Sequence, residues 1–241
     1  MDALRQKIID DNLREIRSNI GASEQCASRP LGAAALMAVT KTVPVEEINY
    51  AIKSGIKLIG ENKVQELLDK YDRLDREGAE IHFIGHLQTN KVKYIIDKVS
   101  MIQSVDSMKL AREIDRQAEK HGLVMDVLLE INVGDETTKN GVGAEDAVQI
   151  AAEMRRLGNI NLRGLMCIPP ICDDKGEISK YFLIINQIYI DIFGKNIDND
   201  NIYILSYGMS GDYETAIECG STMVRLGQAI FGKRDYRTQG V

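Results

Sequence analysis

Two places in the chain combine residue types that could do chemistry. The first is Ala38-Val39-Thr40-Lys41-Thr42, where a lysine closes an apolar run. An ammonium placed there is partly desolvated, which lowers its pKa toward that of a usable amine nucleophile, able to form a Schiff base with a carbonyl. The second is a pair of late segments, Leu205-Ser206-Tyr207-Gly208-Met209-Ser210-Gly211-Asp212 and Arg225-Leu226-Gly227-Gln228. Their glycines and small hydroxyls expose main-chain donors suited to an anion. Arg225 and Gly227 share one face of an extended segment, so the guanidinium points at whatever the glycine meets. A buried arginine must find an acceptor, either a carboxylate such as Glu61 or Glu130 or a ligand atom. His82 and His86 lie four apart in an extended run, a spacing that suits a metal on a helix and not on a strand. The expectation is a hydrogen-bonded His82, a rim-facing His86 and no metal.

These residues need a scaffold that gathers positions 41, 206 and 225. Short apolar runs at 36–42, 57–62, 80–86, 101–106, 125–133, 161–169, 203–208 and 222–227 read as strands. Helical stretches alternate with them at 45–54, 64–76, 91–99, 108–121, 144–157, 178–193 and 212–218, several followed by glycine at 55, 78, 122, 158 or 194 where a left-handed cap is wanted. An additional first helix carries Leu4, Ile8, Leu13, Ile16 and Ile20. This is an α/β chain, and continuous alternation over 241 residues without a GxGxxG turn predicts a (β/α)8 TIM-type barrel with an extra N-terminal helix, one domain over 1–241. An open mixed sheet is the alternative.

Composition narrows the partners. Thirty Lys plus Arg against 36 Asp plus Glu give a net charge of −6, a field that repels nucleic acid and anionic membranes. No apolar stretch reaches the roughly 20 residues of a membrane span. Early charges at Asp2, Arg5, Lys7, Asp10 and Asp11 argue against a signal peptide. Four scattered cysteines without a CxxC pair fit a reducing cytoplasm.

Barrels place their sites at the C-terminal ends of the strands and bind phosphate with the loops after strands seven and eight. Ser206, Gly227 and Gln228 then become phosphate contacts, largely through main-chain donors. Lysine, phosphate cup and arginine together suit one ligand, a phosphate-bearing heteroaromatic aldehyde, pyridoxal 5′-phosphate.

At these residues the sequence resembles the pyridoxal-phosphate homeostasis proteins, single-domain relatives of the alanine racemase barrel. The resemblance spans nearly the whole chain. It is carried by the segments at 38–42, Gly60-Glu61-Asn62-Lys63-Val64-Gln65-Glu66, His82-Phe83-Ile84-Gly85-His86-Leu87-Gln88-Thr89-Asn90-Lys91, 205–210 and Gly220-Ser221-Thr222-Met223-Val224-Arg225-Leu226-Gly227. It implies that Lys41 holds the cofactor as a Schiff base, that Arg225 meets the pyridine nitrogen, that Ser206, Gly227 and Gln228 surround the phosphate, and that Asn62 lies beside the ring. Thr40, Tyr207 and Gln228 depart from the usual serine, methionine and small hydroxyl residue. Gln228 retains its main-chain donor, and Tyr207 either packs on the ring or points at the phosphate.

A cation fixed at the pyridine nitrogen disfavours its protonation and weakens the ring as an electron sink. With the sequence closing at Val241, no second racemase-type domain is expected. The chain therefore reads as a monomeric cofactor carrier and buffer in vitamin B6 homeostasis, without dedicated turnover, with cofactor-dependent apoenzymes as its recipients. Alternatives are an amino-acid racemase or decarboxylase, a Schiff-base aldolase using Lys41, or an interaction protein docking through Lys91, Lys93 and Lys98 or through Lys233-Arg234.

Overall fold

The computed structural model describes residues 1–134, 140–172, 174–194 and 204–232. Strand-forming runs rich in Val, Ile, Leu and Met give β1 (Ala35–Val39), β2 (Leu58–Glu61), β3 (Glu80–Phe83), β4 (Met101–Val105), β5 (Met125–Asn132), β6 (Val142–Gly143), β7 (Ile160–Cys167), β8 (Ile204–Ser206) and β9 (Met223–Leu226). All pair in parallel. β1 lies between β2 and β9, the order continues through β3, β4, β5, β7 and β8, and the β4–β5 pairing closes the ring. Eight strands thus form the predicted (β/α)8 barrel, and β6 is a two-residue addition beside the end of β5.

The period of two along each strand separates two cores. Met37, Val39, Ile84 and Met223, with Met101, Leu128 and Met166, fill the barrel interior. Ala38, Ile59, Phe83, Val127, Leu129, Leu165, Val224 and Leu226 face outward into a larger layer beneath the helices. Those helices are α1 (Ala3–Cys26), α2 (Val45–Lys53), α3 (Val64–Tyr71), α4 (Met108–His121), α5 (Ala147–Met154), α6 (Lys175–Phe193), α7 (Tyr213–Glu218) and α8 (Gln228–Phe231).

α1 begins where Asp2 accepts the Arg5 N–H at 2.7 Å, a side-chain N-cap. It buries Ile9, Leu13, Ile16 and Ile20, each stabilising the fold by roughly 1.5–3 kcal/mol. Its polar side chains reach α8: Arg5 donates to the Phe231 carbonyl at 2.6 Å and Asn12 to the Ile230 carbonyl at 2.9 Å. Gly122 ends α4 at φ 64°, the left-handed cap anticipated for it. Gly78 and Gly158 are not among the positive-φ glycines.

The stretch 91–99 is not an α-helix. It holds a 3₁₀ helix at Thr89–Tyr94, and Val92, Ile95 and Ile96 are buried beneath the segment. Lys91 and Lys93 are exposed there, whereas Lys98 is tied to Asp97 at 2.8 Å. Tyr203, Lys233 and Arg234 lie outside the described residues.

Candidate functional site at the barrel mouth

Met37, Val39 and Lys41 share the inward parity of β1, so the lysine follows two interior residues to the C-terminal rim. Its two neighbours are clamped from outside. Thr40 donates its N–H to the Gly60 carbonyl at 3.0 Å and its hydroxyl to Glu61 Oε1 at 2.6 Å. Lys70 of α3 donates to the Thr40 carbonyl at 2.8 Å, to Glu61 Oε1 at 3.0 Å and to Glu66 Oε1 at 2.6 Å. Glu66 also accepts the Thr42 N–H. Thr42 sits at φ 61°, a left-handed conformation costly for a β-branched residue. The backbone on both sides of Lys41 is thereby fixed by one buried ionic cluster. Burial raises the Glu61 carboxyl above its usual range, against the lowering effect of Lys70 and Thr40.

Asn62 follows β2 and is half-buried, and its Oδ1 is a buried acceptor without a hydrogen-bond partner among the described residues. Gly85, after β3, packs against it: a Cβ there would lie 2.0 Å from the Asn62 carbonyl oxygen. Only glycine lets those two strand ends approach so closely.

Arg225 is buried, 4% exposed, inside the barrel end. Its guanidinium donates to the Ser206 carbonyl at 2.6 Å, to Ser206 Oγ at 2.7 Å and to the Cys167 carbonyl at 3.0 Å. Among the described residues it forms no ion pair. The carboxylate partners considered for it are placed otherwise: Glu61 belongs to the outer cluster, and Glu130 acts on Arg225 only through its charge. Burial pushes the Glu130 carboxyl up to about 7, Asp106 adds to the rise and Arg225 opposes it. Burial also lowers the Arg225 pKa, while Cys167, Glu130 and Asp212 act to raise it.

The two glycine turns meet. Gly208 at φ 97° leads into a turn in which Asp212 accepts the Met209 N–H. The Ser210 hydroxyl accepts the Ala229 N–H at 3.3 Å, joining this turn to the first turn of α8. Gly227 caps that helix, receiving the Phe231 N–H at 2.9 Å. Gly227 is half-buried and Gln228 exposed at the rim.

Lys41, Asn62, Arg225, Gly227 and Gln228 thus belong to one end of the barrel. Ser206 lies beneath them, fully buried, its hydroxyl shared between Gln103 and Arg225. Tyr207 departs from both readings made for it. The period-two alternation turns it outward, where its ring stacks on Phe182 at 4.6 Å and its hydroxyl meets Asn186 Oδ1 at 2.9 Å and the Cys219 carbonyl at 3.1 Å. Only its main chain remains toward the glycine turn. His82 is buried against Gln103 at 2.8 Å, and exposed His86 lies 3.3 Å from Asp106.

Sequence reasoning missed the clamp and Gln103. The Glu66/Lys70 spacing of four on α3 is a signal for the first. Polar Gln103 at an inward position of the run 101–106 is a signal for the second.

The geometry defines a parallel barrel with an amine, a donor-only cation and a glycine-built corner at its C-terminal mouth. The alanine racemase N-terminal domain family matches residues 12–235. The pyridoxal phosphate homeostasis protein of Aquifex aeolicus (strain VF5) is 41% identical over 226 residues, 94% of this chain and 98% of the relative. Among solved structures, a protein from Bifidobacterium adolescentis aligns at 36% identity with TM-score 0.89, covering 96% of this chain and 97% of the other. PipY of Synechococcus elongatus PCC7942, with PLP bound, aligns at 28% identity and TM-score 0.79, covering 93% and 100%. The chain belongs to the pyridoxal phosphate homeostasis protein family, built on the alanine racemase N-terminal domain.

Proposed function

We propose that the chain binds pyridoxal 5′-phosphate at this mouth through Lys41, Asn62, Ser206, Arg225, Gly227 and Gln228, and carries and buffers it without dedicated turnover. When bound, the cofactor supplies an aldehyde that condenses reversibly with a primary amine and a conjugated ring that accepts electron density. The observation that carries the reading is that, among the described residues, the buried Asn62 Oδ1 has no hydrogen-bond partner and the buried Arg225 no ion pair, at the barrel end where the strand-end Lys41 lies. A ligand with its own donors and acceptors answers that set; an apolar one does not.

Lys41 presents the amine on a backbone that α3 holds still. Arg225 offers only donors, so a ring nitrogen meeting it acts as an acceptor and stays without a proton. That arrangement weakens carbanion stabilisation and favours holding over turnover. The Ser210-linked turns and the Gly227 corner offer main-chain donors to a phosphate. The cytoplasm and cofactor-dependent apoenzymes are the setting and recipients that this reading implies, with the chain acting as a monomer. PLP bound to PipY and the name shared by the curated relatives support it.

Borohydride reduction with added pyridoxal phosphate, followed by peptide mass mapping, tests it. The expected result is one modified peptide containing Lys41, lost in Lys41→Ala. Modification at another lysine in that variant, or none in the wild type, overturns it.

A further inference from the structure

A single file of hydrogen bonds runs through the barrel interior beneath the mouth. Arg225 donates to Ser206 Oγ at 2.7 Å, Ser206 Oγ and Gln103 Oε1 are 2.8 Å apart, and Gln103 Nε2 and His82 Nδ1 are 2.8 Å apart. His82 Nε2 then lies 3.5 Å from the Glu80 carboxylate at the opposite end of the barrel. Gln103 is fully buried and His82 nearly so.

Both ends of this file have fixed polarity. Arginine has no acceptor, so Arg225 donates and Ser206 accepts. Glu80 is held below the usual carboxylate range mainly by His82, so it is an acceptor and Nε2 of His82 carries the proton facing it. With that proton on Nε2, Nδ1 of His82 serves as the acceptor for the Gln103 amide nitrogen 2.8 Å away. That orientation turns Gln103 Oε1 toward Ser206, whose hydroxyl donates a hydrogen bond to it. Gln103 Nε2 also lies 3.2 Å from Met223 Sδ, a weak acceptor that suits a donor.

We propose that Gln103 is a positioning residue for the cofactor: by accepting from Ser206 and anchoring on His82 it orients the Ser206 oxygen toward Arg225 and so fixes the guanidinium that faces the ligand. The proposal rests on the pyridoxal phosphate reading above. Gln103 is fully buried, and its amide meets His82 and Ser206. Its influence passes through Ser206, the only residue of the file that contacts both Gln103 and Arg225 among the described residues. Leucine at 103 fills similar space but removes both functions. Glutamate keeps an acceptor for Ser206 and withdraws the donor from His82.

Two measurements test this. The first is ¹⁵N NMR of the histidine rings in the cofactor-free wild type; the chain has 3 histidines, and His86→Gln and His121→Gln assign the signals. The expected placement of the ring proton is on Nε2 of His82, whereas a proton on Nδ1 overturns the file's direction. The second is titration with pyridoxal phosphate, followed by absorption and equilibrium dialysis, with circular dichroism as a fold control. Gln103→Leu should weaken binding about tenfold, as loss of one buried hydrogen-bond partner implies. Gln103→Glu should bind within about threefold of wild type, because it keeps the acceptor for Ser206. Equal affinity and spectra in wild type and a folded Gln103→Leu overturn the positioning role. A wild type that takes up no pyridoxal phosphate overturns the proposed function instead, and the ring proton of His82 still decides the file.

Discussion

Two buried polar systems lie on opposite faces of neighbouring strands, and they are built from different chemistry. Outside the barrel, Lys70 is caught between Glu61 and Glu66 and grips the backbone around Lys41. Inside, Arg225 donates to Ser206, Ser206 donates to Gln103, and Gln103 meets His82. The outer system holds main chain, and the inner one holds a side chain. The difference teaches how a shallow mouth is made rigid: the reactive amine is steadied through its neighbours, and the cation through its own donors.

Breaking the outer system should be the larger insult. Lys70→Met leaves the Glu61 and Glu66 charges without their cation, and stability should fall by about 3–5 kcal/mol, read by urea unfolding. Borohydride fixation of pyridoxal phosphate at Lys41 should slow in the same variant. Cutting the inner file with Gln103→Leu strands a serine hydroxyl and an imidazole nitrogen, and should cost about 1–3 kcal/mol. A smaller loss in Lys70→Met than in Gln103→Leu would reverse the ranking.

Glu130 sharpens the contrast, because it is an inward carboxyl whose charge Arg225 only partly offsets. Folding raises its pKa from 4.5 to about 7, so the folded state binds the proton more tightly than the unfolded one. Its stabilising contribution is complete below the unfolded value and disappears as pH rises through about 7. Between about pH 5 and about pH 8 the wild type should lose on the order of 3 kcal/mol from this group, and Glu130→Gln should lack that slope. Parallel slopes in the two proteins would assign the dependence to other groups. The smallest effect belongs to Tyr207→Phe, outside the barrel. Losing its bonds to Asn186 and Cys219 should cost about 1 kcal/mol and leave pyridoxal phosphate affinity unchanged.

The sequence carries the barrel clearly because eight apolar runs repeat with helical stretches between them, and α4 falls on residues 108–121 as its periodicity requires. The rim residues were legible for the same reason: strand ends are visible in a pattern of runs. What periodicity does not carry is the partner of an inward polar residue. Gln103 and Ser206 are 103 positions apart, and only barrel closure brings them together. Tyr207 illustrates the opposite error, since one step along a strand exchanges the mouth for the helix layer. Lys70 was hidden on an amphipathic helix, where a lysine reads by default as part of the solvent face.

The contacts of Arg5 and Asn12 with the Phe231 and Ile230 carbonyls tie the first helix to the short last one. Residues more than two hundred positions upstream brace the short segment on which Gly227 and Gln228 begin. On the proposed function, in which Gly227 and Gln228 meet the phosphate, substitutions near the start of the chain should loosen the grip on that anion without touching it, and a stiffer first helix should tighten it.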